Sequence, residues 1–109
     1  MGITKSEVFT DYQNSFAAMS KALGHPARIA IIQFLMNRED CVCGDIVDEL
    51  NLAQSTISQH LKALKKEGII QGTIDGTSVC YCLNPNKIKH MQALYNAFFV
   101  HVANQLKCC

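Results

Sequence analysis

The chain has 109 residues, 49% of them apolar and 17% charged, with a formal net charge of +1. That is the usual span of one domain with enough apolar residues for a core, and the balanced charge excludes a uniformly basic nucleic-acid binder while leaving room for a local basic face. Six cysteines fall short of a disulfide scaffold, "MGITKSEVFTDYQ" carries no apolar signal segment, and no apolar run approaches the ~18 residues of a membrane span; a cytoplasmic protein with reduced thiols and no membrane partner is expected.

The opening "MGITKS" fits the pattern for N-myristoylation, but Thr4-Lys5-Ser6-Glu7 also reads as a capping box that starts a helix. From Thr4 to Leu23, apolar residues at Val8, Tyr12, Phe16, Met19 and Leu23 recur at helical spacing. They predict one amphipathic helix, ended by Gly24 in left-handed conformation. Pro26 suits the first turn of a second helix, and "ARIAIIQFLMNR" is apolar on nearly every side, the mark of a buried helix.

Cys41-Val42-Cys43-Gly44 is short and β-branched, predicting an extended stub, and Asp45 is a natural cap for a short helix over "IVDEL". Asn51-Leu52-Ala53 makes a turn. From Gln54 another helix carries Ile57, Leu61 and Leu64 on one face until Gly68 ends it, with Ser55, Ser58, Gln59, Lys62 and Lys66 on the other. "IIQGTIDGTSVCYCLN" alternates at period two on both sides of Asp75-Gly76, a two-residue hairpin signal. Asn84-Pro85 then opens a last helix with a seam of Ile88, Met91, Tyr95, Phe98 and Val102, widened by Leu94, Phe99 and Leu106.

A short helix, a tight turn, a helix with a polar outer face and then a β-hairpin is the order of a winged helix-turn-helix. The fold expected is mainly α with a small β-wing. It forms one domain over residues 1–109, with the helix-turn-helix over about 45–67, the wing over about 69–83, and a dimer through the first and last helices. A polar, lysine-bearing helix face is most often merely solvated, and the hairpin directly after it is what points to DNA. Gln54, Ser55, Thr56, Ser58 and Gln59 have the donors and acceptors for base edges or nearby phosphates, and Lys62, Lys65 and Lys66 have the charge for phosphates.

"LNLAQSTISQHLKALKKEGII" resembles the recognition-helix signature of the ArsR/SmtB repressors of bacteria, and "CVCGDI" with "GTSVCYCLN" is similar to the arsenic-responsive members. The resemblance runs from about Phe16 to Val102. It implies a homodimeric repressor that binds a palindromic double-stranded DNA operator and leaves it when a metal or metalloid binds. Ala53 stands where the family often has a capping Ser.

Arsenite, antimonite and thiophilic divalent metals select converging thiolates; any of these could act as inducer, with no obligatory cofactor. In extended chain, residues i and i+2 point to the same side. Val79, Tyr81 and Leu83 take the core-facing parity of the second hairpin strand, which leaves Cys80 and Cys82 together on the other side. If the stub pairs with that strand, as is common in winged helices, Cys41 and Cys43 come beside them and the four form one metal site. Structural zinc is a further use of four thiolates, and cysteines packing as small hydrophobes is the plainest. Cys108-Cys109 could complete such a site or serve as a redox couple.

His90 and His101 lie on one side of the last helix but roughly 16 Å apart along its axis, so one chain cannot bring both to an ion. An antiparallel partner helix could, as in zinc-sensing members. The acids expected two residues before and three after are Ile88 and Asn104 here, so surface or interface histidines are expected instead. His25 and His60 stand isolated. Two rivals remain: a repressor of the same fold answering to thiol oxidation or persulfidation, and a cytosolic metal-buffering thiol protein without DNA binding. Catalysis has no support, with no C-x-x-C motif, no nucleophile with an assignable base and no phosphate-binding glycine loop.

Overall fold

The computed structural model describes residues 5–38, 40–43, 46, 50–75 and 78–107. The first amphipathic stretch forms two helices rather than one, α1 over Lys5–Val8 and α2 over Asp11–Leu23. The break follows from a second capping signal. Thr10 Oγ1 accepts the Gln13 N–H at 3.0 Å, while Gln13 Oε1 accepts the Thr10 N–H at 3.0 Å, a reciprocal capping box that restarts the helix. Thr4, half of the capping box expected at the start, lies outside the described residues. Gly24 ends α2 with φ −80°, not in the left-handed conformation expected.

α3 spans Pro26–Met36, with Pro26 in the first turn and His25 as its cap, the Nδ1 accepting the Ala27 N–H at 3.0 Å. It is buried at Ile31 and Leu35, but Ile29 and Met36 are exposed, so it is half-sunk rather than wholly internal. β1 is the expected stub, Val42–Cys43. Ile46 and Leu50 are helical, as the "IVDEL" reading requires, and Asp45, the cap expected there, lies outside the described residues. Asn51 makes the turn with φ 53°, a left-handed value that Asn tolerates better than most residues.

α4 covers Gln54–Lys66. Gly68, at φ 82°, ends it in a Schellman arrangement: its N–H bonds the Lys65 carbonyl at 2.9 Å and the Ile69 N–H bonds the Leu64 carbonyl at 3.0 Å. The hydrophobic partners of that motif, Leu64 and Ile69, are both fully buried, which fixes the angle at which the chain leaves α4 for the wing.

β2 (Ile70–Asp75) and β3 (Ser78–Leu83) form the hairpin. Asp75 pairs with Ser78, so the two-residue connection falls at 76–77, one position later than the Asp75-Gly76 signal implied; 76–77 lie outside the described residues. β1 pairs antiparallel with β3, giving the sheet order β1-β3-β2 that the stub-to-wing expectation required. α5 then runs Pro85–Gln105, capped by Asn84. The core gathers Met19, Ile31, Leu35, Val42, Ile57, Leu64, Ile69, Ile70 and Met91, which join α2, α3, α4, the sheet and the first half of α5.

The far half of α5 leaves this core. Phe99, Val100 and Leu106 are exposed, as are Val8, Phe9 and Tyr12 at the other end of the chain. Between them lies an aromatic cluster, with Phe16 4.8 Å from Tyr95 and 4.6 Å from Phe98, and Ser20 Oγ 3.0 Å from the Tyr95 hydroxyl.

Candidate DNA interface and thiol face

Period-3.6 patterning divides α4 into two faces. Ile57, His60, Leu61 and Leu64 are buried; Gln54, Ser55, Ser58, Gln59, Lys62, Lys65 and Lys66 are exposed. Thr56 stands apart from the other residues expected to contact DNA, half-buried in a cleft beside Leu50, Leu52 and His60. Ala53 caps α4 without a side-chain hydrogen bond, so the first N–H groups of α4 get no side-chain partner from their own cap.

Gln54 and Ser58 border a second cleft, closed on its far side by Val79 and Tyr81 of the wing. Val79 keeps the core-side parity expected of it but is 42% exposed, because it sits at this cleft and not over the core. Lys65 reaches across to β2: a Cβ on Gly72 would stand 3.0 Å from its Nζ, so the glycine leaves the space that the lysine occupies. The helix and the wing thus meet along this cleft and where Lys65 lies over Gly72.

The ladder registers arrange the thiols. Val42 pairs with Tyr81 and Cys43 with Cys80, and across β2 Gln71 pairs with Cys82 and Thr73 with Cys80. Paired residues in an antiparallel sheet share a face, and Val42 is buried in the core, so Cys41, Cys80 and Cys82 take the opposite parity. One step beyond the Val42–Tyr81 pair, Cys41 and Cys82 have their Cα atoms 4.5 Å apart and are joined as a disulfide. Cys80, only 4% exposed, is disulfide-bonded as well. The Cys43 side chain and Cys108-Cys109 lie outside the described residues; among those described, no cluster of three or more His, Cys, Asp or Glu converges.

His25 and His60, expected to be isolated, are brought together with ring centroids 4.4 Å apart. Arg28 Nε donates to His60 Nδ1 at 3.1 Å, and burial, then the neighbouring His25 and Arg28, push the His60 pKa below its ordinary value of 6.5. Both Nδ1 atoms are already accepting hydrogen bonds, which disfavours them as metal ligands. The signal in the sequence was position: His60 falls on the apolar stripe between Ile57 and Leu64, which marks it as inward-facing. His90 and His101 are both exposed on α5.

A helix that offers a polar and lysine-bearing face, seated beside a β-wing and behind a tight turn, defines a DNA-binding regulator of the winged helix-turn-helix class. Residues 25–71 match the family described as bacterial regulatory protein, arsR family. The chain is 41% identical over 76 residues to an uncharacterized HTH-type transcriptional regulator of Methanocaldococcus jannaschii, a match covering 69% of this chain and 84% of that one. It is 35% identical over 89 residues to the arsenical resistance operon repressor of Bacillus subtilis, covering 81% and 80% of the two chains. The crystal structure of Rv0081 from M. tuberculosis superposes with a TM-score of 0.66 at 26% identity, over 88% of this chain and 96% of that one. The chain belongs to the ArsR family.

Membership makes it a transcriptional regulator and not an enzyme, and stands against the metal-buffering reading, which predicted no DNA binding. Among the described residues no helix is long and apolar enough to cross a membrane.

Proposed function

We propose that the chain is a cytoplasmic, homodimeric transcriptional repressor whose operator is released when arsenite, antimonite or a thiophilic divalent ion is bound by Cys41, Cys43, Cys80 and Cys82. The observation that carries this reading is the ladder register, which pairs the backbone of the first Cys-x-Cys stretch with that of the second. Thiolates are soft donors, so such a face favours metalloids and soft ions over hard cations. The printed name of the Bacillus subtilis relative, an arsenical resistance operon repressor, supports arsenite within that class.

On this reading Gln54, Ser55, Ser58 and Gln59 reach base edges, Thr56 contributes from the near side, and Lys62 and Lys66 neutralise phosphates. Two such helices in a dimer read the halves of a palindrome. The dimer is supported by the uncovered apolar ends of the chain, α1 with Phe9 and Tyr12 and the last turns of α5. The Cα radius of gyration, 16.9 Å, exceeds the roughly 13 Å of a lone globule of this length, as expected of a chain with arms that cover a partner. β1 leads directly into the helix-turn-helix and β3 is half of the wing. An ion that draws the two together changes the angle between the reading helix and the wing, and shifts the dimer toward a form of weaker operator affinity.

The Cys41–Cys82 disulfide favours a second reading, in which a peroxide-class oxidant is the signal. Two thiols then give up two electrons and two protons, the peroxide is reduced to alcohol and water, and the sulfurs bond.

Fluorescence anisotropy of the reduced protein on DNA from its own upstream region, titrated in parallel with arsenite, Cd²⁺, Zn²⁺ and a mild peroxide, separates the two. Release by near-stoichiometric arsenite is the expected result. Release by peroxide alone, reversed by thiol reductant without any metal, would replace the metalloid reading with the redox one.

A further inference from the structure

Arg28 binds at two ends at once. Its Nε donates to His60 Nδ1 on the buried face of α4, and its Nη1 donates to the carbonyls of Lys21 and Ala22 at 3.4 and 3.3 Å. Those carbonyls belong to the last turn of α2, where C=O groups have no N–H four residues on in the helix and the helix dipole favours a cation. One side chain of α3 therefore ties the end of α2 to the middle of α4. His60 lies two residues after Ser58 and next to Gln59, so whatever sets His60 also sets the rotation of the face that meets DNA.

The bond has a protonation requirement. A guanidinium only donates, so His60 Nδ1 must present a lone pair and the ring must be neutral. The Nδ1 of His25, whose ring is 4.4 Å away, accepts the Ala27 N–H. The cleft beside Arg28 is lined also by Lys21, Lys66 and Glu67, and the Glu67 carboxylate is paired with Lys87 at 3.6 Å. Among the described residues, the cleft that holds His60 is lined by His25, Thr56 and apolar side chains, and the acid beside Arg28 is engaged with Lys87.

We propose that Arg28 and His60 form a positioning latch for the reading helix, closed only while His60 is neutral, so that acidification through the range where His60 gains its proton loosens α4 and weakens operator binding. The inference rests on α4 being the helix that reads DNA. The direction of the His60 shift agrees with it: a histidine held below 6.5 in the folded protein takes up its proton more readily when unfolded, so folded-state stability declines as pH falls below about 6.5. The sign is also diagnostic. Protonating exposed histidines adds positive charge and strengthens attachment to phosphates, so a charge effect alone would tighten binding in acid.

The test is operator anisotropy at fixed ionic strength between pH 8 and pH 5.5, for the wild type, His60→Asn and the pair Ser58→Ala/Gln59→Ala. It is accompanied by long-range ¹H–¹⁵N spectra of the wild-type imidazoles. Asn places an oxygen acceptor near the position of Nδ1 and does not titrate. The expected result is about five- to tenfold weaker wild-type binding at the acid end, the lower part of the range for a coupling between sites. His60→Asn should bind at neutral pH as the wild type does and lose the acid weakening. The spectra should show a proton-free His60 Nδ1 with a midpoint below 6.5 that coincides with the change in affinity. A His60→Asn profile matching the wild type overturns the latch; so, should that variant not fold, does an Nδ1–H tautomer or a midpoint above 6.5 in the wild-type spectra. Undiminished binding by Ser58→Ala/Gln59→Ala overturns the reading of α4 itself, and the latch with it.

Discussion

Replacing Ser58 and Gln59 together by Ala is expected to weaken operator binding on the order of a hundredfold, since two good base-edge contacts at ~1.5 kcal/mol each multiply to that ratio. The fold should not suffer. Both side chains are exposed, and Ala is a better helix former than Ser or Gln. Lys62→Ala makes the contrast. Loss of a phosphate contact should weaken binding to specific and scrambled DNA alike and reduce the salt slope by about one, whereas the Ser58/Gln59 change should erase the difference between the two DNAs. Anisotropy on both DNAs over a range of salt reads all three variants, and retained specificity after the double change would remove α4 as the source of sequence recognition.

The second large effect is expected at the thiols. Cys41→Ser with Cys43→Ser should leave operator affinity within about twofold while abolishing release by arsenite, because a serine hydroxyl is a hard, protonated donor that does not replace a thiolate at a soft centre. This pair is the better choice for the experiment. Cys41 is only half-buried, whereas Cys80 is 4% exposed, and a hydroxyl buried there without a partner would cost stability and confuse the readout. Arsenite release read by anisotropy, with melting curves as a control, decides the matter. Release that survives the double change would move the inducer to the four thiols that remain, Cys80, Cys82, Cys108 and Cys109.

Much of this was legible in the residues themselves. Period-3.6 spacing gave α4 its two faces, and period-two alternation gave β2 and β3. The parity of Val79, Tyr81 and Leu83 set Cys80 and Cys82 together on the other side of β3, and the expected pairing of the stub with that strand brought Cys41 and Cys43 beside them. The misses have local or long-range causes. Val8 and Tyr12 sit on one helical stripe and so conceal the break at Thr10, although Thr10-Asp11-Tyr12-Gln13 spells a capping box. The hairpin connection slipped by one because register is set by pairing along the whole ladder and not by the best local turn dipeptide. The Arg28–His60 contact joins residues 32 positions apart, and no periodicity within either helix announces the partner of the other. The conformation of Gly24 has no account in the sequence beyond its position at the end of α2.

The bond between Cys41 and Cys82 spans 41 positions of chain, and what lies between them is the turn, the reading helix and almost the whole wing. With that bond formed, the stretch that holds α4 and the hairpin is a closed covalent ring, with α1 to α3 attached at one end and α5 at the other. A loop of that length removes about 4 kcal/mol of freedom from the unfolded chain in the chain-entropy view. On the proposed reading, oxidation and ion capture would both raise the melting temperature, one by restricting the denatured chain and the other by binding the native one. A thermal-shift search for the inducer has meaning only with the ring held open by reductant.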